Sequence, residues 1–295
     1  MNATATATVN TSAASNYDEA ADYIWNNSFD KPTLVVSRAR VGVQYDALQA
    51  GLGDARIHYA VKANPAPEII RMLVERGSGF DAASRQEIEL CLSQGADPAK
   101  ISFGNTIKRG VDIAFAHSIG VTMFAADCEA ELDKIAEHAP GARVYIRLIV
   151  ENSMADWPLT RKFGCAGSLL PSLLEYTKSV GLVPYGLSFH VGSQTRRAEY
   201  WHPVLDQVAP LWHAAKEAGH DLQLLNIGGG FPAYHGDPVD APRGYAAAVV
   251  AAVKERFGEI PVLMAEPGRG MVAEAGHIAA EVLLVSRKSA EAARR

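Results

Sequence analysis

Residues 57–82 read IHYAVKANPAPEIIRMLVERGSGFDA, and this stretch carries the pattern that organises the rest of the chain. An apolar, β-like run over Ile57–Val61 stops at Lys62, and the turn signal Asn64-Pro65 follows directly. Apolar residues then recur at helical spacing over Ala66–Arg76, and a second short run, Gly79–Ala82, closes the unit. The order predicts a strand, a helix and a second strand parallel to the first, with Lys62 emerging where a strand stops. Beside apolar Tyr59 and Val61 its amine would be desolvated, lowering its pKa and making it a nucleophile toward an aldehyde. The plainer alternative is a solvated loop lysine.

The alternation repeats along the chain. Strand-like runs occupy Ile57–Val61, Gly79–Ala82, Ile101–Phe103, Thr122–Ala125, Arg143–Leu148, Tyr185–His190, Gln223–Ile227 and Val262–Ala265. Helical spacing fills the gaps at Ala66–Arg76, Arg85–Gln94, Lys108–His117, Glu129–Ala139, Ser168–Val180, Val204–Ala218 and Tyr245–Phe257. Ser84 with Glu87 forms a capping box, and Gly77, Gly95, Gly120, Gly181 and Gly219 stand where helices should stop. Strict alternation implies parallel strands, and eight of them in a chain of this size predict an α/β fold, the closed (β/α)8 TIM barrel. An open doubly wound sheet is the competing architecture.

Upstream, Tyr17–Trp25 reads as a short helix, Pro32–Ser37 as a strand leading into the main body, and residues 1–16 as a disordered tail. Downstream a further β-like run, His277–Val285 within Gly276–Arg287, follows the eighth strand. A ninth strand cannot enter a closed eight-strand barrel, so it is expected to begin a second domain. The expected division is a tail and short helix over 1–31, the barrel over 32–270, and the start of a truncated β domain over 271–295.

A chain of 295 residues with 48% hydrophobic content can bury a sizeable core. Its net charge of −5, with no Lys/Arg-rich run, argues against a nucleic-acid or membrane-surface partner. The longest apolar stretch, Tyr245–Val253, falls short of the about 20 residues a span needs, and the N-terminus lacks a signal-peptide pattern. Cys91, Cys128 and Cys165 form no CxxC pair, so neither a zinc site nor a disulfide framework is expected, and they read as packing or surface residues. A cytoplasmic location fits these features.

In a barrel the chemistry gathers at the C-terminal ends of the strands. The runs here are followed by Lys62, Asp81, Asn105, Asp127, Arg147, His190, the Gly228-Gly229-Gly230 loop and Glu266, polar at nearly every position. Three glycines let backbone N–H groups wrap an anion, although a tight strand-to-helix turn would also use glycine. Arg269 would add the charge a phosphate needs, and Ser193 a further donor. In TIM barrels phosphate sits by the last two strand-end loops, which these residues occupy. Glu266, followed by Pro267 and Gly268, would accept a hydrogen bond from a pyridinium nitrogen, or else pair with Arg269. His190 is flat enough to stack on a ring. Asp81 and Arg147 read as a pair in the pocket floor, and Lys108-Arg109 as a solvated face. Lys62, His190, the glycines and Glu266-Pro267-Gly268-Arg269 together suggest a Schiff-base lysine holding pyridoxal phosphate.

YAVKANP, FDAAS, SFGNTIK, WPLTRKFG, SFHVGSQ, NIGGGFP and AEPGRG, in that order, resemble the alanine-racemase-fold pyridoxal-phosphate decarboxylases, and specifically the short bacterial ornithine decarboxylases. The resemblance runs from about Pro32 to Val285. It implies that Lys62 bonds covalently to the cofactor, His190 stacks on the pyridine ring, Glu266 pairs with the ring nitrogen, and Ser193, Gly230 and Arg269 bind phosphate. Asp81 and Arg147 would be supporting polar residues near the lysine, and Lys162 resembles a lysine of the family's mobile active-site loop. The implied reaction is loss of carbon dioxide from a basic amino acid, ornithine giving putrescine.

The same resemblance implies a second, β-rich domain supplying further site residues, and a head-to-tail homodimer. None of those further residues is identifiable before Arg295, so the chain alone is expected to decarboxylate poorly. Rival readings are lysine, arginine or diaminopimelate decarboxylase, an alanine-racemase-like activity, a non-catalytic partner-binding homologue, and a single-barrel pyridoxal-phosphate carrier.

Overall fold

The computed structural model describes residues 19–152, 154–158, 162–287 and 289. The expected disordered tail, residues 17 and 18 of the first helix, three residues of WPLTRKFG (159–161) and most of the last eight residues lie outside them. The chain forms two compact units, one built on residues 38–274 and one combining the segments before 38 and after 274.

In the smaller unit, helix α1 (Glu19–Trp25) precedes strand β1 (Thr33–Val36). The sequence suggests that this strand leads into the main body. It pairs instead with the last strand, Gly276–Ala279, antiparallel, from Thr33↔Ala279 to Val36↔Gly276. The run expected to continue to Val285 stops at Ala279, where its partner among the described residues, four residues long, ends.

The larger unit is a closed parallel barrel. Its strands are β2 (Arg56–Ala60), β3 (Gly79–Ala82), β4 (Ile101–Phe103), β5 (Met123–Ala126), β6 (Arg143–Arg147), β7 (Val183–Ser188), β8 (Leu224–Asn226) and β9 (Val262–Ala265); the pairing partner of β1 is β10. The helices are α2 (Arg38–Leu52), α3 (Pro67–Glu75), α4 (Arg85–Ser93), α5 (Gly110–Ser118), α6 (Glu129–His138), α7 (Leu170–Ser179), α8 (His202–Glu217), α9 (Pro242–Phe257) and the short α10 (Arg269–Val272). Each predicted strand and helix is present within a few residues of its expected bounds, because caps and turns mark them. The backbone N–H of Glu87 donates to Ser84 Oγ at 3.3 Å, and the Glu87 carboxylate accepts from the Ala83 N–H at 2.6 Å. The five predicted stop glycines all hold the left-handed conformation that ends a helix.

Helix α2 has no counterpart among the predicted elements. Its buried Val41, Tyr45, Leu48 and Leu52 have helical spacing, but Gly42 and Gly51 interrupt it and exposed Val43 blurs its apolar face. Packing against α9 explains one of those glycines: a Cβ on Gly51 would lie 2.2 Å from the Arg243 carbonyl oxygen. Tertiary contact holds this helix where local propensity does not.

Side chains alternate across a strand, and that alternation decides what faces the barrel axis. The interior cluster is Met123, Ala125, Tyr145, Leu224 and Met264, with Tyr185 and Val262 against it. Two residues beyond Leu224 is Asn226, two beyond Tyr145 is Arg147, and two beyond Met264 is Glu266. The parity that fills the core thus carries these polar side chains to the upper end of the barrel. Each large member buries an apolar body worth about 1.5–3 kcal/mol. Among the described residues no helix is long and apolar enough to cross a membrane.

The reading of Lys108 as part of a solvated face is overturned. Its side chain is fully enclosed, and its Nζ donates to the Asn105 and Ala125 carbonyls at 2.9 and 2.6 Å and pairs with Glu131 at 2.8 Å. Lys134 braces the other Glu131 oxygen at 2.5 Å, and burial pulls Lys108 down to about 8. The lysine ties the end of β4 to β5 and α6, which a lone basic pair in sequence cannot reveal. Arg109 is exposed and grips Asp112. Glu131→Gln should cost about 3 kcal/mol in denaturant unfolding at pH 7, since it strands a buried cation, whereas Lys108→Met combined with Glu131→Leu should cost much less.

Candidate active site

The upper mouth of the barrel is assembled from the ends of strands that are far apart in sequence. Lys62 sits on a 3-10 turn, Val61–Ala63, immediately after β2. Its Nζ lies 3.3 Å from Asp81 Oδ2, on the adjacent β3; Asp81 is buried, while the lysine side chain is 61% exposed. The Asp81 charge raises the Lys62 pKa, and Glu266 adds to the effect, whereas burial works against it. The expected depression by desolvation is therefore reversed: a carboxylate at contact outweighs partial burial.

The expected Asp81–Arg147 pair does not form among the described residues. Asp81 is committed to Lys62, and the Arg147 guanidinium lies over the Phe163 ring, 5.4 Å from its centre. Arg147 nonetheless acts on the site through its charge, helping burial to hold His190 down at about 3. The Gly192 N–H donates to His190 Nδ1 at 3.0 Å. A backbone N–H can only donate, so the imidazole is neutral with its proton on Nε2. A Cβ on Gly229 would sit 3.0 Å from that Nε2, which fixes how closely the glycine loop approaches the ring.

Glu266 does not pair with Arg269 among the described residues. Its Oε1 accepts from Asn226 Nδ2. Burial first, then the Asp81 charge, push its carboxyl up to about 7, with Lys62 and Arg147 opposing. Arg269 Nε instead donates to Ser193 Oγ at 3.0 Å, and its guanidinium packs over Trp157, 4.7 Å from the ring centre. Ser193 and Trp157 exchange backbone hydrogen bonds at 3.0 and 3.2 Å. Pro267 closes the ring of loops, its carbonyl accepting from the Ala60 N–H at 3.1 Å. Gly268 packs 3.0 Å from the Ala63 methyl, counted from where its Cβ would be.

The glycine loop leaves β8 with Gly228 and Gly230 at positive φ. A Cβ on Gly228 would be 2.3 Å from the Phe189 carbonyl oxygen, and one on Gly230 2.4 Å from a Val191 methyl. Gly228 donates to Asn226 Oδ1 at 2.9 Å, while the N–H groups of Gly229 and Gly230 have no acceptor among the described residues. Successive free backbone N–H groups of this kind have the chemistry that can accept an anion. Gln194, the one described non-glycine residue at positive φ, anchors this loop through the Ala233 backbone: its Oε1 accepts from Ala233 N–H at 3.1 Å and its amide donates to the carbonyl.

Three site residues escaped the sequence reading. Gly104 stands where a Cβ would lie 1.9 Å from Asp81 Oδ1, so only glycine leaves room for that carboxylate. Tyr145 places its hydroxyl nearby, and that oxygen and Asp81 Oδ1 are both buried with no hydrogen-bond partner among the described residues. Asn226 is the third. Period-two counting from Arg147 and Gly228 names Tyr145 and Asn226, and counting outward from Ser102 names Gly104. Asn105 itself is off that parity: its amide donates to the Ala83 carbonyl and braces a loop. Asp127 likewise accepts from the Gly164 N–H at 2.8 Å. Lys162 is exposed, its Nζ 5.1 Å from the centre of the Phe163 ring. A cavity of 750 Å3 at the other end of the barrel, walled by Leu52, Ala55, Val250 and Lys254, holds none of these groups. The candidate groups gather instead at the strand ends.

These side chains have the donor set that pyridoxal phosphate needs: an amine, an anion cradle with a guanidinium, a flat neutral imidazole and a buried carboxylate. Comparison with known proteins agrees. Residues 38–273 match the family described as "Pyridoxal-dependent decarboxylase, pyridoxal binding domain", and the chain belongs to that family. It is 35% identical over 260 residues to a decarboxylase of Aspergillus flavus, covering 88% of this chain and 59% of that protein. It is 33% identical over 255 residues to the lysine/ornithine decarboxylase of Selenomonas ruminantium, covering 85% and 64%. The crystal structure of lysine decarboxylase from Selenomonas ruminantium superimposes with a TM-score of 0.82 at 30% identity, over 96% of this chain and 73% of that one. The chain thus spans about three fifths of the length of these curated relatives.

Because Asp81 is the largest influence raising Lys62, Asp81→Asn should lower the lysine's pKa. Reductive methylation followed by mass spectrometry across pH 7–11 should show the Lys62 reactivity curve displaced to lower pH, and an unmoved curve would contradict the pairing.

Proposed function

We propose that this chain binds pyridoxal 5'-phosphate at the upper barrel mouth and serves the decarboxylation of a basic amino acid. The observation that carries the reading is the convergence of Lys62, Asp81, His190, Glu266 and the Gly228–Gly230 loop from separate strand ends onto one pocket. Named relatives acting on lysine, ornithine and arginine support the basic amino-acid class. Within it, the WPLTRKFG and HVGSQ motifs favour ornithine, with putrescine as product. A paired assembly of two chains is part of the same proposal.

Pyridoxal phosphate, when bound, supplies an electron sink for the pair left behind as the Cα–carboxylate bond breaks. Lys62 provides the amine that holds the cofactor's aldehyde carbon, and Asp81 keeps a carboxylate at hand to take or return the proton of that amine. The Gly229 and Gly230 N–H groups, Ser193 and Arg269 would hold the phosphate. Neutral His190 offers a ring face with no charge to oppose a protonated pyridine, and Glu266 offers the carboxylate that stabilises that proton. The Arg147 charge opposes the rise in the Glu266 pKa, and among the described residues its guanidinium bonds to neither Asp81 nor Glu266.

The direct test is an absorbance spectrum of the purified chain with added pyridoxal phosphate, for wild type, Lys62→Ala and Gly229→Val. A visible band that needs Lys62, and that weakens at least about tenfold in apparent affinity with Gly229→Val, is expected from loss of the covalent anchor and of the cradle. No band in the wild-type chain would defeat the cofactor assignment. Carbon dioxide release from ornithine, lysine and arginine then ranks the substrates.

A further inference from the structure

We propose that Asn226 is a positioning residue for Glu266: its amide reserves Oε1 as an acceptor, so a proton held by Glu266 sits on Oε2. The geometry is a closed ring of three hydrogen bonds between the ends of β8 and β9. The Gly228 N–H donates to Asn226 Oδ1 at 2.9 Å, Asn226 Nδ2 donates to Glu266 Oε1, and the Glu266 N–H donates to the Gly228 carbonyl at 2.8 Å. The direction of each bond follows from chemistry. A backbone N–H has no acceptor role, so Asn226 must present its oxygen to Gly228 and its NH2 group to Glu266. With Oε1 accepting, the acid form of Glu266 carries its hydrogen on Oε2, which has no hydrogen-bond partner among the described residues. Asn226 is 1% exposed, so water does not compete for its amide.

This inference deepens the proposed function and rests on it, since the choice of oxygen matters only if that proton is exchanged with a ring nitrogen. The groups that face Glu266 are Asp81 on β3, Lys62 after β2, Arg147 and Tyr145 on β6, and Asn226 on β8. Asn226 is the one neutral donor among them to reach the carboxylate. An aspartate at 226 would keep the acceptor for Gly228 but set a carboxylate oxygen against Oε1, where only a shared proton relieves the contact.

The test uses the full chain with and without added pyridoxal phosphate. The Glu266 pKa is raised in the fold, so its contribution to stability is complete below the ordinary carboxylate range and is lost as pH rises through about 7. Melting temperatures of the cofactor-free chain across pH 5–9 should show that descent in wild type and lack it in Glu266→Gln. In Asn226→Asp the descent should move up by about one pH unit or more, as a like charge at contact requires. Adding Glu266→Gln to that variant should abolish it. Asn226→Ala, which removes the donor without adding charge, should move it in the same direction by less, and it decides the matter where Asn226→Asp does not fold. Infrared spectra should place the protonated Glu266 carbonyl stretch at a different frequency in Asn226→Ala. Superimposable melting profiles and an unshifted stretch in wild type and Asn226→Ala would overturn the proposal. Absence of a cofactor band in wild type would defeat the cofactor reading alone and leave the melting result standing.

Discussion

Closure of the barrel between β2 and β9 is the contact on which everything at its mouth depends. The two strands pair in parallel, Arg56↔Met264 and Ile57↔Ala265, and the Ala60 N–H to Pro267 carbonyl bond extends the seam past the strand ends. That seam brings the first barrel strand, which delivers Lys62, beside the last, which delivers Glu266. An open sheet would leave these groups at opposite edges. The residues along the seam are small where it is tightest: Gly268 packs against Ala60 and Ala63. Closure costs chain entropy that no single pair repays, and it is cooperative with the other seven ladders.

Interior side chains are distributed unevenly around the axis. The large members, Met123, Tyr145, Leu224 and Met264, come from β5, β6, β8 and β9. On β3, β4 and β7 the same parity carries Gly79, Ser102, Gly104, Gly186 and Ser188. His58 occupies part of that space, buried and held down at about 4, with its Nδ1 3.4 Å from Ser102 Oγ. Small residues above it are what let Asp81 reach Lys62: any side chain at 104 would collide with the aspartate. The pocket is therefore a property of the packing beneath it as much as of the charged groups at its rim.

The fold was legible because its signals are local and repeated: eight apolar runs, helices with caps at one end and glycine at the other. Helix α2 was not, since its burial depends on α9, a partner distant in sequence. Strand β1 was visible as a strand, but its partner was not, because a four-residue run says nothing about which edge it will join. Among the candidate site residues, Lys62, Asp81, His190, Ser193, the glycines, Glu266 and Arg269 were proposed from strand-end position and chemistry. Which of them touch could not be read in the same way. Asp81 chose Lys62 over Arg147, Arg269 chose Ser193 over Glu266, and Lys108 went inward, because pairing depends on register and rotamer rather than on residue type.

The electrostatic arrangement of the mouth has a direction. Lys62 and Arg147 face Asp81 and Glu266, so two cations and two carboxylates share a volume from which water is partly excluded. Such a set would be unstable if each carboxylate were fully ionised and unpaired. The structure resolves this asymmetrically. Asp81 has Lys62 at contact, while Glu266, buried and near Asp81, is pushed up to about 7, where it can gain or lose a proton near neutrality. The two carboxylates differ because each leaves a different strand end and meets different neighbours there. His190 contributes by staying neutral: a protonated imidazole there would stand against Lys62 and Arg147 and undo the balance. Arg269 lies outside this balanced set: its Nε donates to Ser193 and its guanidinium packs over Trp157, so among the described contacts it is bonded to none of Lys62, Asp81 and Glu266.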